Sequence, residues 1–91
     1  MYPTPMPENM KYLFENADYL LTEEDYTLLK EKHNRATNLR ENNGAIYPGL
    51  TQSAVIWLTK AYDAKTPINK KAFDGVIESL SKIHIKRFSN I

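Results

Sequence analysis

Apolar residues near the start of the chain recur at helical spacing. The i, i+3, i+4, i+7 pattern of an amphipathic helix is followed by Met10, Leu13, Phe14, Ala17, Leu20 and Leu21. We therefore predict a first helix over residues 8–19. The seven residues before it contain three prolines, which fix φ and lack a backbone donor. Residues 1–7 are accordingly predicted to form an extended arm.

A second helix is predicted to begin directly after the first. Thr22 precedes three acidic residues, and a threonine hydroxyl can cap free amides while carboxylates favour the positive end of the helix dipole. From Glu31 onward the sequence is largely polar, so the second half of this helix is expected to cover little core. The stop is predicted at Gly44, which follows two asparagines and can adopt the left-handed conformation.

The third apolar segment is ambiguous by periodicity alone. Residues 54–58 are apolar on every side, which is typical of a central helix or of a buried strand. Thr51 is a candidate helix cap, and Leu50 before it with Val55 after it fits the hydrophobic staple pattern. These two signals favour a helix.

A fourth helix is predicted after Thr66 and Pro67, which repeat the order of a capping hydroxyl and a proline at the first helical position. The clearest amphipathic stripe of the chain follows, formed by Ile68, Ala72, Phe73, Val76, Ile77 and Leu80. Residues 83–88 alternate in polarity, which favours an edge strand or an extended tail. The predicted fold is all-α, a small four-helix domain over residues 8–91.

Composition and charge set the class of protein. With 42% hydrophobic and 25% charged residues, the chain is typical of a globular domain. No run approaches the roughly 18 apolar residues of a membrane span, and the start lacks the order of a signal peptide, so a cytoplasmic location is expected. The absence of cysteine excludes disulfides, thiol catalysis and thiolate metal sites.

The net charge of +1 is unevenly distributed. Residues 1–25 hold six acidic residues and one lysine, a net charge of −5, whereas residues 26–91 hold eleven basic and five acidic residues, a net charge of +6. Such polarity can steer a charged partner or can hold the two parts of the fold together.

Residues for catalysis are scarce. The two histidines, His33 and His84, lack the helical spacing of a zinc site, and the three glycines do not match a phosphate-binding loop. We predict that the protein is not an enzyme and holds no cofactor or metal.

Tyrosines are the first candidates for a binding surface. Exposed aromatic side chains are enriched in protein interfaces. Candidates outside the apolar stripes or in predicted loops are Tyr2, Tyr12, Tyr19 and Tyr47. They favour a regulatory or inhibitory protein that acts by stoichiometric binding, with another protein as the partner and no membrane. The oligomeric state stays open, a homodimer included.

Basic residues support an alternative function. The third and fourth predicted helices are joined by a short connection, as in a DNA-binding helix-turn-helix, whose second helix enters the major groove at its start. Candidate nucleic-acid contacts are Asn69, Lys70 and Lys71 at that start, Lys30, Lys32, Arg35 and Arg40 on the second helix, and Lys86 and Arg87 in the tail.

Overall fold

The computed structural model describes residues 6–84 and shows the predicted small all-α domain. A 3-10 helix, Glu8–Leu13, precedes three α-helices, α1 (Glu23–Asn43), α2 (Gly49–Ala64) and α3 (Lys70–Ser81). Across residues 6–84 no strand forms, and β pairing is limited to one antiparallel bridge between Tyr19 and Ile68.

Helix α1 begins and ends where its sequence predicts. Thr22 and Asp25 form a reciprocal capping box, in which the Thr22 hydroxyl accepts from the Asp25 amide and the Asp25 carboxylate accepts from the Thr22 amide. Gly44 ends the helix with a left-handed φ of 72°. The second half of α1 buries only Ala36, as its polar sequence suggests.

The first predicted helix is wrong in type and in length. Its residues form a six-residue 3-10 helix that stops at Leu13, and Asn16 adopts a left-handed φ of 53°. The start of α3 explains the stop, because Asn69 donates its amide to the Leu13 carbonyl and its side-chain Nδ2 to the Glu15 carbonyl. Those carbonyls therefore pair with the start of α3 and not with a further helical turn.

Residues 54–58 are helical, which resolves the choice between helix and strand. However, α2 begins at Gly49 and its N-cap is Pro48, three residues before the predicted cap at Thr51. The Gln52 amide already donates to the Pro48 carbonyl. Leu50 consequently lies in the first turn of α2 and is 60% exposed, so it does not act as a staple.

The predicted cap of α3 at Thr66 is also wrong. The amides of Lys65 and Thr66 donate to the Tyr62 and Ala61 carbonyls, and Lys65 is left-handed with a φ of 55°, which is a Schellman motif that ends α2. Asn69 caps α3 instead, because its side chain accepts from the Ala72 amide.

The core lies between the three α-helices and the 3-10 helix. Helix α3 contributes Phe73, Val76 and Leu80 from its predicted stripe and contacts both α1 and α2. The 3-10 helix adds Met10 and Leu13. Each helix therefore supplies apolar side chains to a single core.

The two ends of the chain are described only in part. Of the predicted edge strand or tail over residues 83–88, residues 85–88 lie outside residues 6–84, as do residues 1–5 of the predicted arm, while Ile83 is buried and belongs to no strand. Met6, the first described residue, packs against the core. Within the described part of the chain, no helix is long and apolar enough to cross a bilayer.

We expect Phe73→Ala to lower the free energy of unfolding by about 3–5 kcal/mol, because it removes a buried ring and leaves a cavity. Urea denaturation monitored by circular dichroism measures the change. Leu20→Ala is the control, since Leu20 is 52% exposed and should change stability by less than about 0.5 kcal/mol. Equal effects of the two substitutions would contradict this core.

We expect Thr66→Val to leave stability unchanged or to raise it by about 1 kcal/mol. The Thr66 hydroxyl is buried without a hydrogen-bond partner in residues 6–84, and valine keeps the shape while removing that group. Thr66→Ser, which keeps the hydroxyl and loses the methyl, is the matched comparison. A loss of about 1 kcal/mol on Thr66→Val in urea denaturation would instead indicate that the Thr66 hydroxyl makes a stabilising hydrogen bond.

Candidate protein-binding face

Helix α2 carries very few charges. Of its 16 residues, Lys60 and Asp63 alone are charged. A helix that is apolar on all sides is normally covered on all sides. The burial of α2 therefore decides whether one of its sides is available to a partner.

The domain covers one side of α2 and leaves the other open. The covered side consists of Ala54, Val55, Leu58 and Ala61. Leu50, in the first turn of α2, is 60% exposed, and Ile56, on the side opposite the covered residues, is 51% exposed. We define the α2 face as the residues of this open side, Gly49, Leu50, Ser53, Ile56, Trp57 and Lys60. Successive members lie one or three residues apart, so the six residues fall within about 120° of the helix circumference.

Trp57 lies at the edge of the α2 face. Its side chain is half-buried and packs against the core, while the Lys60 ammonium lies 5.8 Å from the centre of its ring. This distance is within the range of a cation–π contact. Trp57 thus combines a rigid apolar surface with a fixed position, which is the property of aromatic anchors in interfaces.

The loop before α2 extends this apolar surface. Ile46 is 64% exposed and lies two residues before the Pro48 N-cap. The next residue, Tyr47, points inward and is 5% exposed. Its hydroxyl lies 2.8 Å from His33 Nδ1, and its carbonyl accepts from Gln52 Nε2 at 2.8 Å. These contacts fix the loop against α1 and α2 and leave Ile46 facing solvent.

Burial favours the neutral forms of Tyr47 and His33, the two side chains that hold this loop. It raises the pKa of Tyr47 to about 12, so the phenol stays protonated. Burial, together with the positive charges of Lys30 and Arg40, lowers the pKa of His33 below its ordinary value. The contact at neutral pH is therefore between a neutral imidazole and a neutral phenol.

The tyrosines proposed from the sequence do not form one surface. Tyr12 is 45% exposed, whereas Tyr47 is buried, which corrects its prediction as an exposed loop residue. Tyr19 lies in the β bridge and not on a helix with Tyr12, and its hydroxyl donates to Asp25 Oδ2 at 2.5 Å. Tyr2 lies outside the described residues.

The start of α3 is occupied by contacts within the domain. Asn69 is engaged as the cap, and the Lys70 amide donates to Asp18 Oδ1 at 3.0 Å. Lys70 Nζ donates to Asp74 Oδ1 at 2.9 Å and lies 5.3 Å from the Tyr19 ring centre. Lys71 is exposed.

The basic residues of α1 do not form one strip. Successive helical residues are rotated by about 100°, which places Lys30 and Lys32 about 160° apart. Arg35 and Arg40 are exposed, and Arg40 lies 3.5 Å from the Glu41 carboxylate. Lys86 and Arg87 lie outside the described residues. A single basic surface is therefore not assembled on this helix.

The outer side of α1 is acidic near its start. A shallow depression of about 300 Å³ is lined there by Glu23, Glu24, Thr27, Leu28 and Glu31. Among residues 6–84, no group of three His, Asp or Glu side chains is placed to hold a metal ion. The carboxylates of this depression therefore form a negative surface around one exposed leucine.

No protein-family model, curated protein or solved structure matches this chain. Its function therefore has to be inferred from its own surfaces.

The sequence pattern does not reveal the α2 face, because a segment that is apolar on every side, as residues 54–58 are, is typical of a central helix or a buried strand. The one feature of the sequence that indicates an uncovered side of α2 is the small size of the domain. A chain of 91 residues has few elements with which to surround a fully apolar helix.

We expect acidification to destabilise the protein through His33. In the unfolded chain a histidine binds its proton near pH 6.5, whereas folded His33 binds it at lower pH. The unfolded state thus holds more protons as pH falls below about 6.5, and the free energy of unfolding decreases. The stability that neutral His33 provides is complete above that pH and is lost as pH falls toward the folded pKa.

Urea denaturation between about pH 7.5 and pH 5.5 tests this dependence. The decrease should be smaller in His33→Gln than in the wild type, because glutamine does not titrate. His84→Gln is the matched control, since His84 is exposed and bonds only the nearby Lys82 carbonyl among its described contacts. An unchanged decrease in His33→Gln would contradict the assignment.

Proposed function

We propose that this protein is a non-enzymatic binding protein that regulates or inhibits another protein by stoichiometric association through the α2 face. The observation that supports this function is the exposure of Leu50 and Ile56 on a helix that is apolar on both sides. Contiguous exposed apolar surface marks interaction sites in folded proteins. A cytoplasmic location is part of the same proposal.

The chemistry of the α2 face suits an apolar partner surface. Lys60 is its one charged residue, so affinity would come from the burial of Leu50, Ile56 and the exposed part of Trp57. Binding of this kind depends weakly on salt, in contrast to phosphate binding, which weakens steeply as salt rises. The salt dependence of binding therefore separates the two classes of partner.

DNA binding through α2 and α3 is the second candidate function. It is supported by the exposure of Lys71 at the start of α3 and of Arg35 and Arg40 on α1. The Asp18 carboxylate at the α3 start and the ion pair of Lys70 with Asp74 weaken the attraction of this region for phosphate. Protein binding is favoured for this reason.

Affinity capture from nuclease-treated native host extract tests the proposed function. The baits are the wild type and the double variant Leu50→Glu with Ile56→Glu, both checked by circular dichroism. We expect the wild type to retain one protein in a ratio of about one to one. The double variant should retain at least about ten-fold less, because two carboxylates would enter an apolar contact.

The control bait is Leu20→Glu, which makes the same change at a similarly exposed leucine outside α2. It should retain the partner as the wild type does. Capture that is unaffected by the α2 variant would refute the proposed face. Capture that is lost with nuclease and with Lys70→Glu plus Lys71→Glu would support the DNA-binding alternative.

A further inference from the structure

We propose that Asn43 is a site of spontaneous covalent modification, at which its side-chain amide cyclises onto the Gly44 nitrogen and is then converted to a carboxylate. Asparagine is one of the residues that limit the lifetime of proteins at high temperature. The site lies at the end of α1 and not on the α2 face, so it is independent of the proposed function.

The reaction uses water as its co-reactant. The backbone nitrogen of Gly44 attacks Cγ of Asn43, the new N–Cγ bond closes a succinimide ring, and the Cγ–Nδ2 bond breaks. The side-chain nitrogen leaves as ammonia, which takes up the hydrogen that the Gly44 amide loses. Water then opens the ring at either carbonyl carbon. Attack at Cγ gives aspartate, whereas attack at the backbone carbonyl carbon gives isoaspartate, in which the main chain runs through the former side chain.

Gly44 allows the nitrogen to reach the asparagine side chain. A side chain on the residue after an asparagine crowds the attacking nitrogen, and glycine has none. Gly44 has a left-handed φ of 72°, and no described atom lies within 4 Å of the position that a Cβ would take there. Asn43 is exposed, and its side chain has no hydrogen-bond partner among residues 6–84. Open space is therefore available to the ring, and water can reach it.

The Gly44 amide must be freed from its hydrogen bond before it can react. This amide donates to the Leu39 carbonyl at the end of α1. The Ala45 amide donates to the same carbonyl at 3.2 Å. The Leu39 carbonyl therefore keeps a partner when the Gly44 amide leaves it, which lowers the cost of opening. The ends of helices also fray, whereas their interiors do not.

Other exposed asparagines of α1 lack these features. Asn34 and Asn38 lie inside the helix and are followed by an arginine and a leucine, whose side chains crowd the nitrogen. Asn42 is also exposed and lies next to Asn43, but the residue that follows it carries a side chain. Asn42 therefore serves as an internal control for exposure and for position in the helix.

Either product changes the end of α1. The new carboxylate lies two residues after Glu41 and at the negative end of the helix dipole, where an anion is unfavourable. The formal net charge of the chain falls from +1 to zero. Isoaspartate also lengthens the main chain between Leu39 and Ala45, which are joined by a hydrogen bond at this helix end. We expect the modified protein to melt at a lower temperature than the fresh protein.

Ageing of the full chain in neutral buffer, followed by peptide mapping with mass spectrometry, tests the site. Asn43 should gain the mass difference between an amide and an acid at least about ten-fold faster than Asn42. The products should separate by chromatography into aspartate and isoaspartate peptides of equal mass. Isoaspartate identifies the cyclisation, because direct hydrolysis of the amide gives aspartate alone. Isoelectric focusing should show a more acidic form of the intact protein.

Two variants separate the roles of the two residues. Asn43→Gln keeps an amide, but its longer side chain would have to close a larger ring. The aged variant should keep the melting temperature of the fresh variant, whereas the aged wild type should not. Gly44→Asn adds a side chain and preserves the stop of α1, because asparagine tolerates the left-handed φ. It should slow the modification of Asn43 at least about five-fold.

An Asn43 that is modified no faster than Asn42, or that yields aspartate without isoaspartate, would overturn the proposed reaction. An Asn43→Gln variant that becomes acidic at the rate of the wild type would do the same. Unchanged modification of Asn43 in Gly44→Asn would refute the role of glycine. A modified wild type that melts as the fresh protein does would refute the effect on the end of α1.

Discussion

The short antiparallel bridge between Tyr19 and Ile68 is the constraint on which the rest of the domain depends. The amides of Asp18 and Tyr19 donate to the Ile68 carbonyl, and the Ile68 amide donates to the Tyr19 carbonyl at 2.8 Å. A six-residue 3-10 helix has little stability of its own. The bridge holds the segment after that helix against the residues before α3, and next to it the Asn69 amide donates to the Leu13 carbonyl, so Met10 and Leu13 are placed in the core.

The same region couples two helix starts. Tyr19 donates its hydroxyl to Asp25, which also closes the capping box of α1 with Thr22. Burial alone would raise the pKa of Asp25, but its hydrogen bonds from Thr22 and Tyr19 and the charge of Lys70 outweigh burial and lower that pKa. The bridge, the α1 cap and the α3 start therefore form one connected network of polar contacts.

Features set by neighbours in the chain could be predicted from the sequence. The Thr22 cap, the stop at Gly44 and the stripe of α3 depend on residues within a few positions of each other. The start of α3 could not be predicted in this way, because Thr66 has the local signature of a cap but takes part in the end of α2. The true cap at Asn69 also holds Glu15, 54 residues away in the chain.

The candidate face shows the same limit. The sequence shows which residues of α2 are apolar. It does not show how many other helices pack against α2 and bury them. Leu50 and Ile56 are exposed because the covered side of α2 already receives α3, α1 and the 3-10 helix. Tyr47 is the reverse case. Its position in a short loop predicts exposure, but its side chain is buried and its hydroxyl lies beside His33.

The position of Trp57 has a consequence for spectroscopy. It is the only tryptophan of the chain, and it lies on the edge of the α2 face beside the Lys60 ammonium. The emission of an indole depends on whether water and charge contact its ring, so the tryptophan emission of this protein originates at one place on its surface. A partner that covers Trp57 would change the emission of the unlabelled protein. Tryptophan fluorescence therefore reports directly on whether the α2 face is occupied.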